Sequence, residues 1–100
     1  MESIFHITSA SEADRATGSG TSCAEAFHAD GFVHCSYRHQ LLEVANRHFA
    51  GRTGLVLLEI DRSKLACKVV DENLEGGTEV YPHVYGPLPM AAVVGIYEFP

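Results

Sequence analysis

Short runs of β-branched, aromatic and aliphatic residues, separated by polar turns, predict a fold built mainly from β-strands. The predicted strands cover residues 4–8, 32–35, 55–60, 65–70, 80–85 and 92–99. The third of these runs contains one charge only, Glu59, which indicates a buried central strand that closes at Asp61. Pro82 has no backbone N–H, so the strand that contains it is predicted to lie at a sheet edge or to carry a bulge.

Two further segments have helical signatures. Ser9 and Glu12 have the S-x-x-E spacing of a capping box, which predicts a short helix directly after the first strand. The main amphipathic helix is predicted over residues 37–50, with Ser36 as its N-cap and Gly51 as its C-cap. Its expected core positions are Leu41, Leu42, Ala45 and Phe49. Strands in this order, with one main helix inserted among them, predict an α+β fold.

Small and polar residues between these elements predict loops. The stretch of residues 18–22 is expected to end the short helix and to form a mobile loop, at most a lid, since it lacks the spacing of a phosphate-binding P-loop. One or two helical turns are predicted over residues 23–29, and Glu75, Gly76 and Gly77 predict a turn.

The chain has 100 residues, of which 46% are hydrophobic, and this size predicts a single domain over residues 1–100. Such a chain is expected to bury roughly 65% of its unfolded surface, which is enough for a core without disulfides or a structural metal. The net charge of -6 disfavours non-specific binding to nucleic acid or to an anionic membrane, and it favours a small ligand or a protein partner. The oligomeric state does not follow from the composition.

The cysteines and the apolar runs predict a cytoplasmic protein. Three cysteines without a CxxC pair are a poor basis for a disulfide framework and indicate a reducing compartment. The first residues lack both the positive charge and the apolar run of a signal peptide. No apolar run approaches the roughly 20 residues needed to cross a bilayer, so a soluble protein is expected.

Three histidines, His6, His34 and His83, lie inside predicted strands, although histidine is neither a strong strand former nor a frequent core residue. Because side chains alternate along a strand, each histidine shares its face with defined neighbours. These neighbours are Ile4, Thr8, Phe32, Tyr81 and Tyr85. The opposite faces are more apolar and hold Phe5, Ile7, Val33, Cys35, Val80 and Val84. The histidine-bearing faces are therefore predicted to line a cleft, and the other faces to form the core.

A cleft lined by imidazole and tyrosine rings suits a planar heterocycle, which it holds by stacking and a few hydrogen bonds. The alternative is that each histidine is structural, with both ring nitrogens bonded to backbone or water. A third possibility is a metal site formed by the three histidines, although no HxH or HExxH spacing supports it. Cys35 points to the face opposite His34 and is expected in the core rather than as a nucleophile.

Ser36 is predicted to open the main helix directly after the strand that carries His34. Unpaired N–H groups and the helix dipole favour anions at a helix N-terminus. A phosphate is therefore expected against Ser36 and the next amides, with Arg38 as its counter-charge. The alternative is an ordinary N-cap without a ligand.

Four segments together resemble a known family. They are residues 4–8 (IFHIT), 31–36 (GFVHCS), 55–61 (LVLLEID) and 81–88 (YPHVYGPL), which occur in this order over nearly the whole chain. They resemble the small bacterial family called domain of unknown function 952, which is distantly similar to the ADP-ribosyltransferase fold. That resemblance implies two small, roughly perpendicular β-sheets that form a cleft for NAD.

The resemblance also implies roles for individual residues. His6, in a strand that also holds Thr8, is implied to contact the nicotinamide ribose, and Ser36 to support the ribose and nicotinamide pocket. His34 and Ser36 resemble the His-x-Ser form of the RNA 2′-phosphotransferase branch. His83 stands where transferases of this fold commonly carry a catalytic glutamate, so it can act as a base but not, when protonated, as an anion.

Two classes of function remain as expectations. The first is an enzyme that uses NAD, or a related nucleotide, to transfer ADP-ribosyl or 2′-phosphate groups, with His83 and His34 as catalytic residues. Its expected ligand-binding residues are His6, Thr8, Ser36, Arg38, Tyr81 and Tyr85. The second is a non-enzymatic module that binds a nucleotide or metabolite in the same cleft, and the missing glutamate favours it.

Overall fold

The computed structural model describes residues 3–22, 31–73, 79–86 and 88–99. The helical turns predicted over residues 23–29 and the turn predicted at residues 75–77 lie outside these ranges. None of the helices in the described ranges has the length and apolar character needed to span a membrane.

Eight strands, two α-helices and three short 3-10 turns form the described part of the chain. The strands are β1 (Ser3–Ser9), β2 (Thr21–Ser22), β3 (Val33–His34), β4 (Leu55–Asp61), β5 (Lys68–Glu72), β6 (Tyr81–Tyr85), β7 (Leu88–Pro89) and β8 (Val93–Phe99). The helices are α1 (Ala10–Ser19) and α2 (Leu41–His48), and the 3-10 turns are Arg38–Gln40, Arg62–Lys64 and Met90–Ala92. The strands form two three-stranded antiparallel sheets, β1-β4-β8 and β3-β6-β5, and a two-stranded sheet, β2-β7. The predicted α+β class is confirmed.

The sheet β1-β4-β8 has the most apolar strand, β4, at its centre, as the hydrophobic pattern predicts. β1 pairs with β4 from Ser3 opposite Asp61 to Ser9 opposite Leu55. β8 pairs with the other edge of β4, with a register shift after Glu59. A strand that has neighbours on both edges and buried side chains along its length needs a nearly continuous apolar sequence.

The sheet β3-β6-β5 has β6 at its centre, so the prediction of an edge strand or a bulge at Pro82 is wrong. The Cys35 amide donates to the Pro82 carbonyl over 3.1 Å, directly after β3 ends. Because the nitrogen and the carbonyl of a strand residue face the same neighbour, the missing N–H of Pro82 faces the end of β3. The proline therefore removes one hydrogen bond at the end of a two-residue ladder.

Three other predicted strands are present with different bounds. The strand predicted at 32–35 is limited to Val33–His34. The strand predicted at 65–70 spans Lys68–Glu72, and the strand predicted at 80–85 spans Tyr81–Tyr85. The partner strand sets these limits, because β5 pairs with β6 from Lys68 opposite Tyr85 to Glu72 opposite Tyr81. One consequence is that Val80 lies outside β6 and is exposed, whereas the sequence places it in the core.

Helix α1 begins as predicted. The Ser9 hydroxyl accepts a hydrogen bond from the Glu12 amide over 3.1 Å, which is one half of a capping box. The helix ends at Gly20, whose φ of 86° is the left-handed conformation that favours glycine. The mobile loop predicted over residues 18–22 is wrong, since its first two residues belong to α1 and its last two form β2, which pairs with β7.

The amphipathic helix is present but starts later than predicted. A 3-10 turn, Arg38–Gln40, precedes α2, and the N-cap of that turn is Tyr37 rather than Ser36. The Tyr37 amide donates to the Gln40 side-chain oxygen over 2.9 Å. The Ser36 amide donates to the carbonyl of Phe5 over 2.7 Å, so it is not available to bind an anion.

The C-terminal end and the buried face of α2 also differ from the prediction. Phe49 is the C-cap rather than Gly51, which adopts a left-handed turn with φ of 78°. Leu42, an expected core position, is 77% exposed. Successive residues of an α-helix are rotated by about 100°, so a helix that turns Leu41 and Ala45 towards the protein turns Leu42 away from it.

Both three-stranded sheets contribute to one hydrophobic core. Its buried members are Ile4, Ala13, Val33, Cys35, Leu58, Ile60, Val84, Leu88 and Ala92. A short antiparallel bridge also joins the two sheets, because Phe5 and Ser36 exchange two backbone hydrogen bonds of 2.8 and 2.7 Å. This bridge brings β1 next to the segment that carries His34.

Candidate active site

One face of the sheet β3-β6-β5 collects most of the predicted site residues. His34 and His83 are register partners, and their ring centroids lie 5.2 Å apart in an edge-on arrangement. The alternate residues Val33 and Val84 point to the opposite side and are buried in the core, as strand periodicity requires. We call this surface the histidine face. It comprises Phe32, His34, Lys68, Val70, Glu72, Tyr81, His83 and Tyr85.

Glu72 on β5 supplies a carboxylate to the histidine face. Its Oε1 accepts a hydrogen bond from His83 Nδ1 over 3.0 Å and another from the Tyr85 hydroxyl. In the register of the sheet, Glu72 lies opposite Tyr81, so it is diagonal to His83. Glu72 is absent from the predicted site because the sequence pattern ends this strand at Val70. β5 reads Lys-Val-Val-Asp-Glu and does not alternate, so only its register with β6 places Glu72 on the same face as His83.

The hydrogen bonds around Glu72 define the protonation of the site. Donation from Tyr85 and then from His83 lowers the pKa of the Glu72 carboxyl. The same bond raises the pKa of the Tyr85 hydroxyl, which therefore stays protonated and donates. Because Glu72 is an ionised acceptor, His83 carries its hydrogen on Nδ1, and the neutral ring has its lone pair on Nε2. Among the described residues, none is hydrogen-bonded to this Nε2.

Aromatic rings surround the histidine pair. The Phe32 ring stacks on His83 with 4.3 Å between centroids and 26° between planes. It also contacts His34 at 4.7 Å and Tyr85 at 5.4 Å. His83 is only 4% exposed, while His34 is exposed and both Phe32 and Tyr85 are half-buried. These partly exposed rings can contact a planar ligand by stacked or edge-to-face packing.

His6 lies beside this site but on a different surface. It shares its face of β1 with Ile4, which is fully buried, so the prediction that this face lines a cleft is wrong. Phe5 and Ile7 on the opposite face are buried, as predicted. His6 Nδ1 donates to the main-chain carbonyl of His34 over 2.6 Å. Burial lowers the pKa of His6, although the hydrogen bond to that carbonyl acts in the opposite direction. Both faces of β1 are buried because the sheet β1-β4-β8 is covered on each side there.

The predicted phosphate site at Ser36 and Arg38 is not assembled. Ser36 is buried and its backbone is committed to the bridge with Phe5. The Arg38 guanidinium lies 5.1 Å from the centre of the Phe5 ring, on the face of β1 opposite to His6. Arg38 is therefore separated from the histidine face.

Two further predicted ligand residues occupy different places. Tyr81 belongs to the histidine face and is buried opposite Glu72. Thr8 lies on β1 opposite Val56, on the same side as His6. Within the described ranges, no group of three His, Cys, Asp or Glu side chains is placed to hold a metal ion. His6 meets His34 through the main chain, so the three histidines do not form the single cluster that a three-histidine metal site requires.

The family described as Protein of unknown function (DUF952) matches residues 7–96. The chain belongs to this family. The match spans His34, Glu72 and His83, and it confirms the family resemblance carried by the sequence blocks. The similarity of DUF952 to ADP-ribosyltransferases stays a prediction.

This chain is similar to solved structures of protein CC0527 from Caulobacter crescentus, a structural genomics target. The crystal structure of that protein has 34% sequence identity and a TM-score of 0.84, and the match covers 96% of this chain and 84% of that one. Its solution NMR structure has 33% identity and a TM-score of 0.81, covering 98% of this chain and 84% of that one. No curated protein matches this chain.

Proposed function

We propose that the histidine face binds a nucleotide, with NAD as the first candidate, and that His83 accepts a proton during group transfer. The hydrogen bond from His83 Nδ1 to Glu72 carries this proposal, because it orients the ring and leaves Nε2 as the nitrogen available to a ligand. A carboxylate behind an imidazole also stabilises the imidazolium that forms when the proton arrives.

The ring system around His83 supports a planar heterocycle as part of the ligand. Phe32 and Tyr85 contact each other beside the histidine pair, and both are only half-buried, so part of each residue is accessible to a ligand. His34 is exposed on the same face and can stack or donate a hydrogen bond. Lys68, the register partner of Tyr85, supplies positive charge on this face for a phosphate, in place of the predicted pair of Ser36 and Arg38.

The chain also contains the negative charge that the third motif lacks. NAD, when bound, supplies an activated ribosyl carbon with nicotinamide as the leaving group. The carboxylate of Glu72 is ionised and lies behind His83, where its negative charge stabilises positive charge that develops on the ligand. His83 Nε2 takes the proton of an acceptor hydroxyl as that hydroxyl bonds to the carbon. In this proposal Glu72 stabilises charge and His83 accepts the proton, two functions that a single catalytic glutamate commonly combines.

A non-enzymatic binding module is the second candidate, and one observation favours it. Phe32 stacks on one side of the His83 ring, and His83 is largely buried. A ring covered in this way is well suited to a fixed hydrogen bond with a ligand and is less accessible to a reacting group. The two candidates share the same ligand face and differ in whether turnover occurs.

The test combines binding and turnover. Amide NMR titrations with NAD, ADP-ribose and nicotinamide are expected to shift residues around His34, Glu72 and His83, and nicotinamide release is measured in parallel. In the transferase, His83→Ala loses turnover by about 100-fold or more and keeps most of the affinity. His39→Ala is the matched control, because His39 is an exposed histidine that contacts Glu79 rather than the histidine face.

Each result separates the candidates. Saturable shifts without nicotinamide release, together with weaker binding in His83→Ala, favour the binding module. The absence of shifts at millimolar concentrations of all three ligands contradicts the nucleotide proposal for both candidates.

A further inference from the structure

The two imidazoles of the histidine face have complementary surroundings. His83 is buried and fixed by Glu72, so its Nε2 has a defined direction. His34 is exposed on the neighbouring strand, 5.2 Å away between ring centroids. Pairs of titratable groups held in different environments are suited to separate acid and base roles.

The described residues of this face present no protein nucleophile. The Tyr85 hydroxyl donates to Glu72, and Cys35 points into the core on the other side of the sheet. Ser36 is buried, and its backbone forms the bridge to Phe5. Two imidazoles in acid and base roles can activate water or a hydroxyl of the ligand itself.

We infer that His34 and His83 form an acid–base pair that hydrolyses a nucleoside 2′,3′-cyclic phosphate. The inference rests on the proposed function, since the nucleotide must first bind the histidine face. His83 Nε2 takes a proton from water, whose oxygen bonds to phosphorus. One of the two ring P–O bonds breaks, its electron pair stays on the ribose oxygen, and protonated His34 donates a proton to that oxygen. The product is a nucleoside monophosphate, and water is the only co-reactant.

Charge favours this small anionic substrate. The ammonium of Lys68 lies on the same face as the reacting pair, while the Glu72 carboxylate is held by two donors. The net charge of -6 opposes the approach of a nucleic acid polymer much more than that of a mononucleotide. Opening of a five-membered cyclic phosphate requires one water molecule, one base to take a proton from that water and one acid to protonate the leaving ribose oxygen.

The mechanism predicts a bell-shaped dependence of the rate on pH. The base limb requires neutral His83, and the acid limb requires protonated His34. Among the described residues, the other titratable or charged groups on this face are Glu72 and Lys68 from β5 and Tyr81 and Tyr85 from β6, while His6 of β1 bonds to the main-chain carbonyl of His34. In this mechanism the fall in rate at high pH comes from loss of the His34 proton. Substitution of His34 is therefore expected to abolish that fall and to leave the fall at low pH unchanged.

The experiment follows adenosine 2′,3′-cyclic phosphate by phosphorus NMR, with amide NMR of the same full-length protein to report binding and folding. The wild type is expected to form adenosine monophosphate, and His34→Ala and His83→Ala are each expected to be at least about 100-fold slower. His39→Ala, prepared identically, is expected to match the wild type and controls for contaminating nuclease. Glu72→Gln provides a second variant in case His83→Ala fails to fold, and it is expected to lower the rate.

The outcomes are distinct. Hydrolysis that is lost in His34→Ala and His83→Ala, with the high-pH decline missing in His34→Ala, supports the pair. Equal hydrolysis in His34→Ala and wild type overturns it. Amide shifts with NAD or with the cyclic nucleotide but no hydrolysis overturn this inference and leave the proposed nucleotide binding intact. No shifts and no hydrolysis overturn both.

Discussion

His6 donates a hydrogen bond from Nδ1 to the main-chain carbonyl of His34, over 2.6 Å. The bond joins β1 to the segment that carries His34, next to the backbone bridge between Phe5 and Ser36. His6 therefore helps to fix the position of the exposed histidine without presenting its own ring on the histidine face. Its buried surroundings make this link sensitive to protonation.

The stability of the protein should fall at mildly acidic pH because of His6. Burial lowers the folded-state pKa of His6 below 6.5, so the unfolded chain binds the proton first as the pH falls. The contribution of His6 to the free energy of unfolding is constant well above pH 6.5 and decreases from there towards the lowered folded-state pKa. Urea unfolding at about pH 7.5 and about pH 5.5 measures the difference.

His6→Asn is the informative variant for this prediction. Asparagine does not titrate and places an amide donor near the position of Nδ1, so it is expected to reduce the loss of stability at low pH. His6→Leu removes the hydrogen bond as well and is expected to cost about 1–3 kcal/mol near neutral pH. An unchanged pH dependence in His6→Asn contradicts the assignment.

Glu72→Gln should change the tautomer of His83. The ionised carboxylate accepts from Nδ1 and so selects the tautomer with hydrogen on that atom. A glutamine amide offers both a donor and an acceptor, so a mixture of His83 tautomers is expected. Long-range nitrogen–proton NMR of the imidazole rings measures the populations. A wild-type spectrum with hydrogen on Nε2 and none on Nδ1 would contradict the bond to Glu72.

Gly95→Ala should displace the Tyr97 ring. A Cβ at Gly95 meets the hydroxyl and ring atoms of Tyr97, which lies over the glycine and donates to Glu59 over 2.9 Å. The ring is half-exposed and able to move, so the expected cost is one surface hydrogen bond, about 1 kcal/mol. Thermal unfolding and the ring signals of Tyr97 report the effect.

Gly18→Ala is the matched control for that variant. Gly18 lies in α1, and a Cβ there meets nothing within 4 Å. Alanine is the better helix former, so this change is expected to stabilise the protein by roughly 0.5–1 kcal/mol. If both substitutions had the same effect, the close approach of Tyr97 to Gly95 would have no energetic consequence.

Leu42 and Leu58 should respond very differently to truncation. Leu42 is exposed on α2, so Leu42→Ala is expected to change the free energy of unfolding by less than about 0.5 kcal/mol. Leu58 is fully buried at the centre of β4, so Leu58→Ala is expected to cost about 2–5 kcal/mol. Denaturant unfolding of both variants makes the comparison. A large loss in Leu42→Ala would place this side chain in an interface.

Local sequence signals predict local features of this fold. The capping residues Ser9 and Glu12 start α1, and the apolar run after residue 54 forms the central strand β4. Strand periodicity also predicts that His34 and His83 share a face, because the alternate residues of both strands are apolar and need burial. These features depend on neighbours within a few residues or on a single strong pattern.

The features that could not be predicted depend on partners distant in sequence. Glu72 joins the site through the alignment of β5 with β6, and Ser36 loses its capping role because Phe5 takes its amide. His6 is buried because the sheet β1-β4-β8 is covered on both sides at β1. No pattern within one strand or helix contains this information.

The histidine pair is assembled from segments far apart along the chain. His34 and His83 meet only when β3 pairs with β6, and β1 reaches its partner β4 across a similarly long stretch. Non-local pairing of this kind slows folding, so this α+β protein is expected to fold more slowly than a helical bundle of similar length. No fragment shorter than residues 34–83 contains both imidazoles, so a nick or circular permutation inside that span tests whether folding can still reunite the two halves of the site.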